Sequence, residues 1–134
     1  MNIVVCVEDK GGIAFNKRRL SRDKKVIGDL QKLLNGKNLY IRPESKDLFA
    51  DAANLNIKIT DSPDKISDGF FFADKEDPTV LYKPGDTVVI YRWNRRYPAD
   101  IFFGMEQKGQ LPQLKETVDF EGNSHEKITR EIRQ

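Results

Sequence analysis

Two knots of basic side chains are the groups in this sequence whose type and spacing point most directly to chemistry. Lys17-Arg18-Arg19, continued by Arg22, Lys24 and Lys25, forms one, and Arg92, Arg95 and Arg96 form the other. Trp93 and Tyr97 are interleaved with the second knot, and Phe15 precedes the first. Like charges held together raise the free energy unless acids or an anionic partner offset them. Guanidinium groups fork onto phosphate and carboxylate oxygens and lie against aromatic faces. The combination suits an anionic, aromatic ligand: a nucleotide, single-stranded nucleic acid or a phosphorylated metabolite. Lys17, Arg18, Arg19, Arg92, Trp93, Arg95 and Arg96 are therefore the candidate ligand-binding set. The competing reading is a solvated face whose arginines pair with acids such as Glu8 and Asp9, with Trp93 and Tyr97 in packing roles.

Other reactive groups are sparse. Asp23 lies at the start of a helical pattern, where a carboxylate is favoured by the helix dipole without any catalysis. The lone histidine, His125, falls in or beside a turn and is expected to be solvated. Cys6 sits within an apolar run and is expected in the core. A single cysteine permits no internal disulfide, and no ligand cluster accompanies it, so no metal site is expected. Gly11-Gly12 lacks the rest of a phosphate-binding loop and reads as a turn.

The chain that must position these groups has 134 residues, suited to a single domain over residues 1–134. Its 38% hydrophobic content excludes disorder as the leading reading. No apolar run approaches the roughly 18–20 residues needed to span a bilayer. With no secretory signal pattern and one cysteine, a reduced, cytoplasmic setting is expected. The net charge of +2 conceals an asymmetry. The first fifty residues carry 11 basic and 6 acidic groups, whereas residues 51–90 carry 4 and 8.

Residues 2–7, Asn-Ile-Val-Val-Cys-Val, form a continuous apolar run, the mark of a strand buried on both faces. Val26, Ile27, Leu30, Leu33 and Leu34 recur at helical spacing and predict a helix over 21–35, with Ser21 as N-cap, Asp23 in the first turn and Asn35-Gly36 as the left-handed stop. Further strands are expected at 38–41, 56–60, 70–73 and 87–93, with a helix opened by Pro43 and short helical turns after Asp61 and Asp77. Leu114, Val118 and Phe120 alternate, Glu121-Gly122-Asn123-Ser124 turns the chain, and Ile128 and Ile132 return, an antiparallel hairpin. The sum is a three-layer α/β domain whose mixed sheet is mainly parallel and closes on a C-terminal antiparallel hairpin.

In that order of elements, four segments resemble the dihydrofolate reductase family. Val7-Glu8-Asp9-Lys10-Gly11-Gly12-Ile13-Ala14-Phe15-Asn16 resembles its opening strand and glycine-containing turn. Leu20-Ser21-Arg22-Asp23 resembles its Leu-Pro-x-Asp/Glu, and Tyr97-Pro98-Ala99-Asp100-Ile101-Phe102-Phe103 its Gly-Asp-Thr-x-Phe. Asn123-Ser124-His125 resembles a turn before its last strand. The resemblance implies a dihydrofolate-reductase-like scaffold with Asp23 at the position of the family's pteridine-binding acid, the one weak catalytic candidate. It also implies that Lys17-Arg18-Arg19 and Arg95-Arg96 meet at the pocket mouth, with Asp100 accepting backbone N–H bonds from the first loop.

The departures from the family are concentrated where its dinucleotide binds. Arg42-Pro43-Glu44-Ser45 stands in place of Gly-Arg-Lys/Arg-Thr, so a donor is lost and a negative charge gained. Ala73-Asp74-Lys75 stands in place of a Gly-Gly pair that lets pyrophosphate approach. The loop between Asn16 and Asp23 is shorter and lacks Leu-Pro-Trp. These changes predict no NADPH cofactor and, more generally, no cofactor. Phe15-Asn16-Lys17-Arg18-Arg19 and Tyr91-Arg92-Trp93-Asn94 also resemble stretches in short proteins of Gram-positive bacteria, which implies a bacterial origin. The expected function is a non-catalytic binding module with an anionic small molecule or nucleic acid at a basic rim. The alternatives are a protein-interaction or inhibitor factor with a protein partner, such as a mobile element carries, and a residual reductase using Asp23.

Overall fold

A computed structural model describes residues 1–134. The apolar run at the start forms β1 (Asn2–Val7), with Ile3, Val5 and Val7 packed on one side and Val4 on the other. β2 (Gly12–Phe15) and β3 (Arg18–Arg19) follow as a hairpin whose two-residue turn, Asn16-Lys17, has φ of 50° and 63°. Positive φ at both central residues matches the right-handed twist of paired strands.

Next come α1 (Lys24–Leu34), β4 (Asn38–Ile41) and a 3₁₀ helix, Pro43–Phe49. β5 (Asn56–Ile59), β6 (Phe70–Ala73) and β7 (Val88–Arg92) are joined through short 3₁₀ turns at Pro63–Lys65 and Thr79–Leu81. The last elements are β8 (Ile101–Phe102), α2 (Gly104–Gln107), β9 (Leu114–Phe120) and β10 (Ile128–Arg133).

Seven strands form one sheet in the order β5-β4-β6-β1-β7-β10-β9. β1 pairs in parallel with β6 and β7, and β4 with β5 and β6. β10 runs antiparallel to β7 and β9, as the hairpin pattern predicts. α1 lays Val26, Leu30 and Leu34 on one face of this sheet, against Val4, Leu39, Phe72 and Val89. The other face has no long helix. Ile13, Ala14, Phe103 and Met105 cover it, held by β2, β8 and α2.

That third layer differs from the expectation. β3, β2 and β8 form a second, three-stranded sheet, where the sequence suggested only a turn at Gly11-Gly12 and a loop after Asn16. The turn that starts it is shaped by Glu8, whose carboxylate accepts the N–H groups of Lys10 at 3.0 Å and Gly12 at 2.6 Å. Gly12 must be glycine here, because a Cβ would lie 2.4 Å from that of Ala99. No helix is long and apolar enough to cross a membrane.

Candidate functional site

The N-terminus of α1 is built differently from the expectation. Its cap is Asp23 rather than Ser21: the Asp23 backbone is extended and its side chain accepts the Lys25 N–H at 2.9 Å. The same carboxylate accepts the N–H groups of Asn123 and Ser124, both at 2.8 Å, and the Ser124 hydroxyl at 3.2 Å. It also accepts from Nδ1 of His125 at 2.9 Å. Five donors of the chain itself thus converge on a side chain with 0% exposure. Burial works to raise the Asp23 pKa, but the bonds from Asn123, His125, Ser124 and Lys25 override it and hold the carboxyl well below the usual range. A group so firmly ionised is a poor proton donor at neutral pH. Asp23, the weak catalytic candidate, is placed as a helix cap and loop anchor.

His125 is not solvated, as its turn position suggested. It is 4% exposed and stacks on Trp93 with ring centroids 4.6 Å apart. With Nδ1–H donating to Asp23, Nε2 is an acceptor for the Ser21 hydroxyl at 3.2 Å and the Tyr97 hydroxyl at 3.0 Å. Ser21, His125 and Asp23 therefore have the linkage that activates a nucleophile. The cavity that Ser21 lines is only about 20 Å³, room for roughly one water and not for an acyl group. The network closes the interior.

The first basic knot is divided. Arg19 forks onto Asp74, with Nε donating at 2.9 Å and Nη2 at 2.7 Å, and its remaining donors reach Asp47 at 3.1 and 3.3 Å. Asp74 also accepts the Ser45 hydroxyl at 2.8 Å. The two loops that depart from the reductase pattern are thus bonded to each other, and the Asp74 carboxylate sits between them with Arg19 against it. Next to them Arg42 forks onto Glu76 at 2.8 and 2.9 Å. A cleft of about 750 Å³ remains outside, bordered by Lys17, Arg42, Asp74 and Asp100, with both signs of charge represented. Asp100 accepts the Asn16 N–H at 3.1 Å and so holds the β2–β3 turn in the way the resemblance implied.

The second knot is divided too. Arg92 donates to Glu131 at 2.9 Å and to Glu106, so two carboxylates neutralise it. Trp93 is 4% exposed and serves as the platform beneath His125. Against the expectation of a ligand-facing set, Arg19, Arg92 and Trp93 are occupied by their own chain. Lys17, Arg18, Arg22, Arg95 and Arg96 have no carboxylate partner. Arg95 reaches the Tyr97 hydroxyl at 3.5 Å, and Tyr97 leads through His125 to Ser21, beside Arg22. The two knots are therefore linked through a short run of side chains, with one unpaired arginine at each end. No group of three or more histidine, cysteine or acidic side chains is arranged to hold a metal ion.

No family model and no curated protein matches the sequence. Among solved structures the chain is similar to dihydrofolate reductase from Enterococcus faecalis complexed with NADP(H) and RAB-propyl. The TM-score is 0.58 over 98% of this chain and 94% of that one, at 9% identity. The fold is that of a dihydrofolate reductase. At so low an identity the likeness carries architecture alone. On this scaffold Asp23 bonds to residues 123–125, and Ser45 bonds to Asp74.

Sequence reasoning missed His125 as a buried group and Asp74 as the partner of Arg19. The available signal was compositional. Asp74 and Glu76 follow the apolar run Phe70-Phe71-Phe72-Ala73 directly, which places carboxylates at a strand end where basic groups were already expected.

Proposed function

We propose that this protein is a non-catalytic binding module that uses a dihydrofolate-reductase-like scaffold to present a basic rim to an anionic ligand, either a nucleotide or single-stranded nucleic acid. One observation carries the reading. Arg22 and Arg95, free of carboxylate partners, lie at the two ends of the Ser21–His125–Tyr97 connection. Lys17, Arg18 and Arg96 also lack carboxylate partners. Like charges left without acids raise the free energy of the free protein, and an anion that meets them relieves it. A phosphate backbone or a nucleotide phosphate supplies that anion, and the exposed Phe15 and Phe102 rings offer stacking.

The reading of a residual reductase using Asp23 has no geometry in its favour, since the carboxylate faces five donors of its own chain. The reading of a protein-interaction factor has one. Phe15, Ile101 and Phe102 are 48%, 37% and 38% exposed on the small sheet, an apolar group that suits a protein surface.

Titration with mononucleotides and short oligonucleotides at about 50 and about 200 mM salt tests the proposal. Contact with roughly three phosphates of a single strand weakens binding about twentyfold over that range. Arg22→Ala and Arg95→Ala each lower the affinity and reduce the salt slope, whereas Arg133→Ala does not. Absence of any salt-sensitive binding overturns the proposal. Recovery of a protein partner that Phe15→Ser abolishes favours the interaction reading instead.

A further inference from the structure

β9 is the outermost strand of the seven-stranded sheet and pairs with β10 alone. Six of its seven residues are exposed. A strand margin of this kind presents a row of backbone N–H and C=O groups open to another chain. Proteins commonly blunt it with proline, a bulge or a covering segment. Residues 114–120 contain no proline, and the one irregularity in pairing with β10 falls at Lys115, which is skipped between Leu114 opposite Arg133 and Glu116 opposite Ile132.

We propose that β9 is a homodimer interface, in which β9 strands of two copies pair antiparallel about a twofold axis at Thr117 and join two sheets into one. The order of side chains carries the proposal. Antiparallel hydrogen bonding sets residues of the same alternation opposite each other, so every self-pairing of a strand is centred on a residue. Centred on Thr117, Lys115, which the irregularity leaves unpaired with β10, faces the partner's Asp119, and Glu116 faces the partner's Val118. Each pair occurs twice by symmetry. Opposite charges directly across strands favour such pairing, and like charges oppose it.

The neighbouring registers lack this match. Centred on Glu116, two glutamates meet at the axis. Centred on Val118, Glu116 faces Phe120 and Thr117 faces Asp119. The opposite margin of the sheet, β5, reads Asn56-Ile57-Lys58-Ile59. Self-pairing there sets lysine against lysine, or Asn56 against Lys58. On β9 the charged pair is also available. Lys115 has no carboxylate partner, and Asp119 uses only one oxygen, accepting the Thr129 hydroxyl at 2.6 Å. Leu114 and Val118 are 42% and 36% exposed, so pairing would cover apolar surface as well.

Sedimentation and light scattering on the full chain, from micromolar to millimolar concentration, provide the test. The expected result is a reversible shift from 15.5 kDa to twice that mass. K115D and D119K each raise the dimer dissociation constant at least tenfold, and K115D/D119K together restore it. K115D leaves the Asp119–Thr129 bond in place, so a change in oligomer without a change in melting temperature separates association from folding. A chain that remains at 15.5 kDa throughout overturns the proposal. So does a dimer that is indifferent to K115D or is not rescued by the double exchange.

Discussion

The Asp23 carboxylate accepts a hydrogen bond from Nδ1 of His125 at 2.9 Å, across 102 residues of sequence. The bond ties the start of α1 to the turn before the last strand, and it is buried on both sides. Its partners make it a structural clasp: the Trp93 ring beneath, the Ser21 and Tyr97 hydroxyls beyond.

Asp23→Asn is expected to destabilise the protein by about 3 kcal/mol at pH 7, because an amide cannot accept on both oxygen positions and leaves buried donors unpaired. The pH dependence has a definite sign. The folded carboxyl titrates below its unfolded value of about 4, so its stabilisation is present above that value and is lost as pH falls through the folded one. Urea unfolding of both proteins from neutral to acid pH checks this. The gap between them narrows on the acid side, and a gap that is constant with pH removes the carboxylate from its assigned role.

Gly122→Ala attacks the same clasp from the other direction. A Cβ at Gly122 would stand 2.7 Å from both Asp23 Oδ2 and the His125 carbonyl oxygen. The loop must shift, at an expected cost of about 1–3 kcal/mol. Thermal unfolding measures it, and Gly36→Ala serves as a contrast, since nothing lies near its Cβ, although φ of +88° still strains it.

Arg19→Ala leaves Asp74 buried with only the Ser45 hydroxyl, and an expected loss of about 3–5 kcal/mol follows from the uncompensated charge. Asp74→Ala alone is also destabilising, because Arg19 keeps only the exposed Asp47. The double variant is milder than the sum of the two. A coupling of about 1–3 kcal/mol in a double-mutant cycle is the expected result, and additive losses would show that the two side chains act independently.

Trp93 is the only tryptophan, and its position under His125 makes it a reporter. The native protein is expected to emit at short wavelength, and His125→Ala to shift emission to the red without unfolding the sheet. Titration with NADPH is expected to leave both the tryptophan emission and the nicotinamide emission unchanged. Energy transfer between the two would instead mean that a dinucleotide finds a place despite the Arg19–Asp74 pair.

Much of this architecture is legible in the sequence. β1, β6 and β7 are covered on both faces, and a strand so placed must be apolar throughout, which continuous runs such as Ile3-Val4-Val5 show directly. The stripe of Val26, Leu30 and Leu34 announced α1 for the corresponding reason. The small sheet was hidden because β3 and β8 have two residues each, too few for any periodicity, and they meet only through tertiary structure. The segment after Pro43 forms a 3₁₀ helix, a distinction that its one apolar face does not encode. The site was less legible still. Asp23 and His125, or Arg19 and Asp74, are paired by topology across long stretches of chain, and local spacing says nothing of such partners. Charge clustering did locate the arginines, but it could not tell those that carboxylates neutralise from those left free.

The clasp at Asp23 also has a bearing on how the protein is made. α1 belongs to the first quarter of the chain, yet part of its N-terminal cap comes from residues 123–125. A nascent polypeptide leaves the ribosome with that helix still lacking its final partners, and the order of synthesis runs opposite to the order in which the structure is completed. Completion of that cap therefore waits until residues 123–125 have been synthesised.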